Sequence, residues 1–200
     1  MLKIKTLALT TAFVLLLQGL YAQYEGQVDF DPADVNTTQT DGWDLITIDG
    51  CDMETDIGKP CLPIKHLHIA IPEDKAVASI EILAIQQQEL TGTYDIMPTQ
   101  PEQIPGETEP DFVDPDPDIY NVNAQYPAEY IFSPTADFMT GVHITGVLYY
   151  PLTSNPVTQK LYLTTHLEYR LVYADEENDP VKPRRMMSNS YGNLKEKLTI

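Results

Sequence analysis

The stretch Leu161-Tyr162-Leu163-Thr164-Thr165-His166-Leu167-Glu168-Tyr169-Arg170-Leu171-Val172-Tyr173 decides the fold class. Its odd positions read Leu, Leu, Thr, Leu, Tyr, Leu, Tyr, and its even positions from Tyr162 to Arg170 read Tyr, Thr, His, Glu, Arg. A period of two is the signature of a strand with one buried and one wet face. Upstream, Val142, Ile144 and Leu148 alternate with His143 and Thr145, and Tyr150 to Pro156 (YPLTSNP) supplies turn residues between the two segments. The expectation is an antiparallel hairpin of these two strands. Further strands are expected at Trp43 to Ile48, Lys65 to Ile71, Ala76 to Ile85, Glu89 to Ile96 and Glu129 to Phe132, each bounded by Gly, Pro, Asp or Asn. No amphipathic helix competes with them. The fold class is therefore all-β, an antiparallel β-sandwich of jelly-roll-like type.

The segment from Pro98 to Pro127 interrupts this pattern. Six prolines between Pro98 and Pro117, interleaved with acids in GETEPDFVDPDPD, rule out a helix or an inner strand, so a long Pro/Asp-rich loop is expected. Asp114, Asp116 and Asp118 have the alternation of a calcium loop. They lack its glycine turn and closing glutamate, and a solvated acidic loop fits them better.

The chain of 200 residues carries 12 Lys and Arg against 30 Asp and Glu, a formal charge of −18 and a pI near 4.3. A nucleic-acid partner needs clustered cations to displace counterions, and this composition excludes one. Residues 1–22 have the three-part layout of an export signal: Lys3 and Lys5, the apolar run Thr6 to Leu17, and a small residue at Ala22. The run is too short to span a bilayer, although an uncleaved anchor is the alternative. Removal at Ala22 takes away two lysines and no acid, so the charge falls from −18 to −20. The expected product is secreted, with no membrane association after cleavage.

An oxidising compartment gives the two cysteines a meaning. Cys51 and Cys61 enclose DMETDIGKP, a loop with Gly58 and Pro60, and a disulfide is expected there in preference to two free thiols. No CxxC pair accompanies them, so a metal site is not expected. His66 and His68 alternate with Leu67 and Ile69 on one outer face, while His143 and His166 fall on the polar faces of the expected hairpin. Solvated histidines are the simpler reading than metal ligands, and no cofactor is implied. Neither cysteine has a partner set for nucleophilic chemistry, so no catalytic residue is assigned. Asn36-Thr37-Thr38 matches a glycosylation acceptor and says only that the segment is exposed.

Several blocks then combine. Gly58-Lys59-Pro60-Cys61-Leu62-Pro63 reads GxPxLP, and Ile69-Ala70-Ile71-Pro72 reads IxIP. An acidic proline-rich interval leads to Tyr126-Pro127, and Gly141 to Tyr173 gives a strand, a YPLxxNP turn and a long Leu/Tyr-rich strand. In this order the chain resembles the N-terminal pro-domain of the gingipain-type cysteine peptidases, over roughly 42–173. The resemblance implies a β-sandwich that silences a caspase-like catalytic domain by covering its cleft, assists its folding, and is cut away near a basic residue. It makes the motif residues Gly58, Pro60, Leu62, Pro63, Ile71 and Pro72 family features. The implied partner is a gingipain-like cysteine peptidase catalytic domain, itself not contained in these residues, so the chain is not expected to be an enzyme.

The division that follows is 1–22 signal peptide, 23–174 β-sandwich pro-domain and 175–200 linker and processing tail. The tail opens with the polar run ADEENDP and continues with Val181-Lys182-Pro183-Arg184-Arg185. Four of the ten basic residues of the mature chain lie between Lys182 and Lys195. Arg184 or Arg185 on an extended chain suits a specificity pocket holding a carboxylate, as a processing site or substrate mimic. An ordinary protease-sensitive linker is the plainer alternative. From a different class, a stand-alone carbohydrate-binding or adhesion module would need exposed aromatics, for which Tyr149, Tyr150, Tyr162, Tyr169 and Tyr173 are the candidates.

Overall fold

The computed structural model describes residues 23–175 apart from 107, 109, 133–136 and 140–141. The expected export signal, residues 1–22, and the tail bearing Arg184 and Arg185 lie outside the described residues.

Antiparallel strands dominate. In chain order they are β1 (Gln23–Asp29), β2 (Val35–Thr40), β3 (Trp43–Ile48), β4 (Asp52–Met53), β5 (Pro63–Ala70), β6 (Lys75–Glu89), β7 (Ile131–Phe132), β8 (Asp137–Met139), β9 (Val142–Tyr149), β10 (Leu152–Asn155) and β11 (Lys160–Asp175), with one short helix, α1 (Pro117–Tyr120). The alternating stretch read first is β11, and it is the spine of one sheet. One edge of β11 pairs with β1 and, nearer its start, with β10; the other edge pairs with β6 along most of its length. The second sheet runs β4-β5-β9-β7, with β8 also on β9. β2 and β3 form a separate hairpin.

The odd side chains of β11 make the core, as the period of two requires. Leu167, Tyr169, Leu171 and Tyr173 pack against Ile69 and Ile71 of the β5 segment, Ile131 of β7, and Val147 and Tyr149 of β9. That contact joins the two sheets as a sandwich. Nearer the start of β11, Leu161 and Leu163 pack with Leu152, Leu62, Leu90, Ile96 and the β3 residues Ile46 and Ile48. Phe30 touches both clusters.

Several expectations need correction. β9 and β11 do not form a hairpin: β9 pairs with β5 in the other layer, and the chain crosses between layers after Tyr149. The partner of β11 through a tight turn is β10, joined by residues 156–159, where Gln159 takes a φ of 54° and Thr158 N donates to Asn155 Oδ1 at 3.2 Å. The proline-rich turn was real, but it contains a four-residue strand. Glu89 to Ile96 is not a strand; β6 ends at Glu89, and Ile96 makes one parallel bridge to Asp44. His143 is not on a wet face. It is 2% exposed, because β9 lies between β5 and β7/β8 and is covered on both faces. β1 and β2 escaped notice because QYEGQVD and VNTTQT carry few apolar residues in a repeating pattern.

Candidate functional site

The GxPxLP block is a dock for the long loop. Gly58 is buried with a φ of +84°, a conformation that strains any residue with a Cβ. In that conformation its N–H donates to Thr99 O at 2.9 Å and its carbonyl accepts from Asp116 N at 2.9 Å. Thr99 N donates to Lys59 O at 2.7 Å, Cys61 N donates to Met97 O at 2.9 Å, and Pro60 bridges Pro98. Leu62 is fully buried and Pro63 starts β5 against Met53. Ile71 sits in the core with its N–H on His143 O, and Pro72 O lies 3.0 Å from His143 Nδ1. All six motif residues are thus backbone or core positions, not chemical groups.

Glu54 closes the other end of the loop. It is 6% exposed, and Oε1 accepts from the N–H groups of Thr55 (2.8 Å) and Asp56 (3.0 Å). Its Oε2 accepts from Tyr150 at 2.5 Å and Tyr126 at 3.3 Å. A buried carboxylate is tolerable when four donors surround it. Burial, together with the neighbouring Glu54 charge, pushes both phenols well above their ordinary range. Tyr126 also exchanges backbone bonds with Ser154 of β10, at 2.7 and 2.8 Å, beside the cis peptide to Pro127.

Between these two anchors the loop is folded. Gln100 bonds Val113 in both directions, its Oε1 accepting at 2.8 Å and its Nε2 donating at 2.9 Å. Asp116 caps α1 by accepting from Asp118 N, and Tyr120 of α1 donates to Ile96 O at 2.9 Å. Trp43 stacks on Phe112 and meets Tyr120 edge-on. The expected solvated loop is therefore an ordered excursion whose acids face outward: Asp111, Asp114 and Asp118 are exposed. A groove of about 1010 Å³ beside the dock is lined in part by Cys61, Thr99, Tyr150, Asp52 and Glu102.

The other sequence candidates fall apart as a chemical site. Cys51 and Cys61 are free thiols, and the expected disulfide is not formed. The reason is register. Asp52 faces Ile64, Met53 faces Pro63 and Glu54 N bonds Leu62 O, so Cys61 lies about four residues, roughly 13 Å, along the ladder from Cys51. A disulfide needs Cα atoms within about 7 Å. Burial pushes both thiols up, which lowers their thiolate fraction. His66 and His68 are exposed on β5, and His166 is held between Asp29 (2.6 Å) and Glu168 (3.2 Å). Among the described residues no group of three His, Cys, Asp or Glu side chains is arranged to hold a metal. Of the five tyrosines considered for sugar stacking, Tyr149, Tyr169 and Tyr173 are core residues. Asn36 is exposed on β2. No described helix is long and apolar enough to cross a membrane.

Sequence reasoning missed Glu54 and Trp43. Glu54 sits in an acidic stretch, DMETD, where nothing marks one acid as buried; only the approach of Tyr126 and Tyr150 from distant segments selects it.

Comparison with known proteins gives concordant results. The family model Propeptide_C25 matches residues 21–192. A chain from the complex of Porphyromonas gingivalis RgpB pro- and mature domains superposes with a TM-score of 0.66 at 18% identity, covering 91% of this chain and 94% of that one. A structure describing the zymogenic latency of gingipain K from Porphyromonas gingivalis superposes with a TM-score of 0.65 at 18% identity, covering 80% of this chain and 90% of that one. These likenesses show a common fold. No curated protein matches the chain.

Proposed function

The chain belongs to the Propeptide_C25 family, the pro-part of gingipain-type precursors and not their catalytic domain, and from that premise we propose that it caps and silences a gingipain-like cysteine peptidase and assists its folding. The cap acts by steric exclusion. Covering a cleft takes an interface on the order of 800 Å² on each partner, and a rigid surface loses less entropy on docking than a floppy one. The observation that carries this reading is the pinning of the Pro98 to Pro127 loop, by the Gly58 to Cys61 backbone at one end and the Glu54 carboxylate at the other. The loop is pre-organised to occlude.

Arg184 and Arg185 are the substrate-like element of the proposal. Support comes from where the other cations are. No Lys or Arg occurs between Lys75 and Lys160. The five in the described body are all engaged: Lys59 with Asp56, Lys65 with Gly50 O, Lys75 with Asp175, Lys160 with Glu89, and Arg170 with Glu25 and Glu81. A pocket that selects a basic residue would have to be filled from the tail. Export through residues 1–22 and action outside the cytoplasm are part of the same proposal.

The test is inhibition. Purified 23–200 should inhibit a gingipain-type catalytic domain in proportion to complex formed. The Arg184→Ala, Arg185→Ala double variant should weaken inhibition of an Arg-selective enzyme at least tenfold. Unchanged inhibition would remove the tail from the mechanism and leave the cap; no inhibition by the unaltered chain would remove the cap.

A further inference from the structure

Among the described residues β6 is the longest exposed edge of the sandwich. Its inner edge pairs with β11 from Lys75 to Glu89, and among the described residues its outer edge pairs with nothing. Fifteen residues make an edge about 50 Å long. Soluble proteins protect such edges with charges, prolines or a covering element, yet from Ala76 to Gln88 the only charge is Glu81 and there is no proline.

The face of this strand is also unfinished. Ile80 lies opposite Leu171, Ile82 opposite Tyr169 and Ile85 opposite Leu167, all of them core residues of β11. Directly paired residues share a face, so these isoleucines point toward the core side. Ile82 and Ile85 are nevertheless 42% and 37% exposed, because the second sheet does not extend over them. Leu83, the residue displaced at the bulge between Ile82 and Ala84, is 41% exposed. Between β6 and the segment leading into β7 opens a slot of about 490 Å³, lined in part by Val77, Ile80, Ile82, Tyr130 and Phe132.

We propose that the free edge of β6 and this slot form the docking seam for an edge strand of the peptidase domain, apolar at its centre and basic at its flanks. The inference rests on the capping function proposed above. Strand addition would satisfy the outward N–H and C=O groups of β6, and one bulky apolar side chain would fill the slot. The flanking chemistry follows from charge. Exposed Glu73 and Glu129 border the seam in addition to the acids that Lys75 and Lys160 already hold, which are Asp74, Asp175 and Glu89. A second copy of this chain is disfavoured, since each copy of 23–200 carries −20, the −18 of the full chain less Lys3 and Lys5. The chain's own tail is disfavoured too, because Pro180 and Pro183 remove two of the donors that a ladder beginning just beyond Asp175 would need.

Hydrogen exchange of 23–200, alone and saturated with a gingipain-type catalytic domain, tests this directly. Residues 76–88 should exchange at least tenfold more slowly in the complex. Ile82→Lys and Leu83→Lys, each checked for an unchanged far-UV spectrum, should raise the inhibition constant at least tenfold. Inhibition without added protection of β6 overturns the seam and leaves the cap. Concentration-dependent protection in the free chain would assign the edge to self-pairing, and protection lost on deleting 176–200 would assign it to the tail; either overturns the proposal. Failure of the unaltered chain to inhibit overturns the cap, and the seam with it.

Discussion

Gly26 shows how a single position is dictated by packing. On β1 it lies opposite Tyr169, and a Cβ built there would come 2.6 Å from the ring's Cζ and hydroxyl oxygen. Tyr169 is 1% exposed and has nowhere to go. Gly26→Ala should therefore destabilise the chain by about 1–3 kcal/mol through overpacking, measured as a lower urea midpoint at unchanged slope. His166 gives a pH dependence at the same scale. Its hydrogen bonds to Asp29 and then to Glu168 raise its pKa above the ordinary value, while burial opposes the shift weakly. A raised folded-state pKa means that the stabilisation is complete below the unfolded value of about 6.5 and is lost as pH rises through the higher folded value. The urea midpoint of 23–200 should fall relative to that of His166→Gln as pH is taken from 6 to 9. A flat difference would show that the imidazolium does not hold β1.

At the scale of an element, the long loop depends on a buried acid far from it in sequence. Glu54→Ala would leave the Tyr126 and Tyr150 hydroxyls and the Thr55 and Asp56 amides to find other acceptors. The expected cost is about 1–3 kcal/mol for each donor left buried and unpaired. The sharper readout is local: limited proteolysis should cut residues 100–125 faster in the variant, with the sandwich fragment surviving. β11, β3 and β5 were legible beforehand because an apolar side chain on alternate positions needs no tertiary information. The loop's order was not. Gly58 and Asp116 act through backbone bonds, and Gln100 through its side-chain amide on the Val113 backbone, none of which a residue pattern encodes.

For the molecule as a whole, charge sets the conditions under which it is stable. Five cations against a field of acids leave the sandwich strongly negative, and like charges on a compact body repel. Raising salt from about 10 mM to about 300 mM shrinks the Debye length from roughly 30 Å to below 10 Å. The melting temperature of 23–200 should rise across that range. A falling value would mean that the surface pairs of Arg170, Lys75 and Lys160 outweigh the repulsion.

The amino-acid order alone determined that the chain is built of strands, that prolines break it after Pro98, that its cations gather at the ends, and that its blocks match a peptidase pro-domain. Those properties are local, carried by side-chain period, ring constraint and formal charge. Only the tertiary structure decided that β9 and β11 lie in different layers, that Cys51 and Cys61 are too far apart along the ladder to join, that Glu54 is the buried acid of DMETD, and that among the described residues β6 is left with an open edge. Each of these depends on which distant segment arrives at a surface. A strand's alternation says that it has a buried face, but not what will bury it.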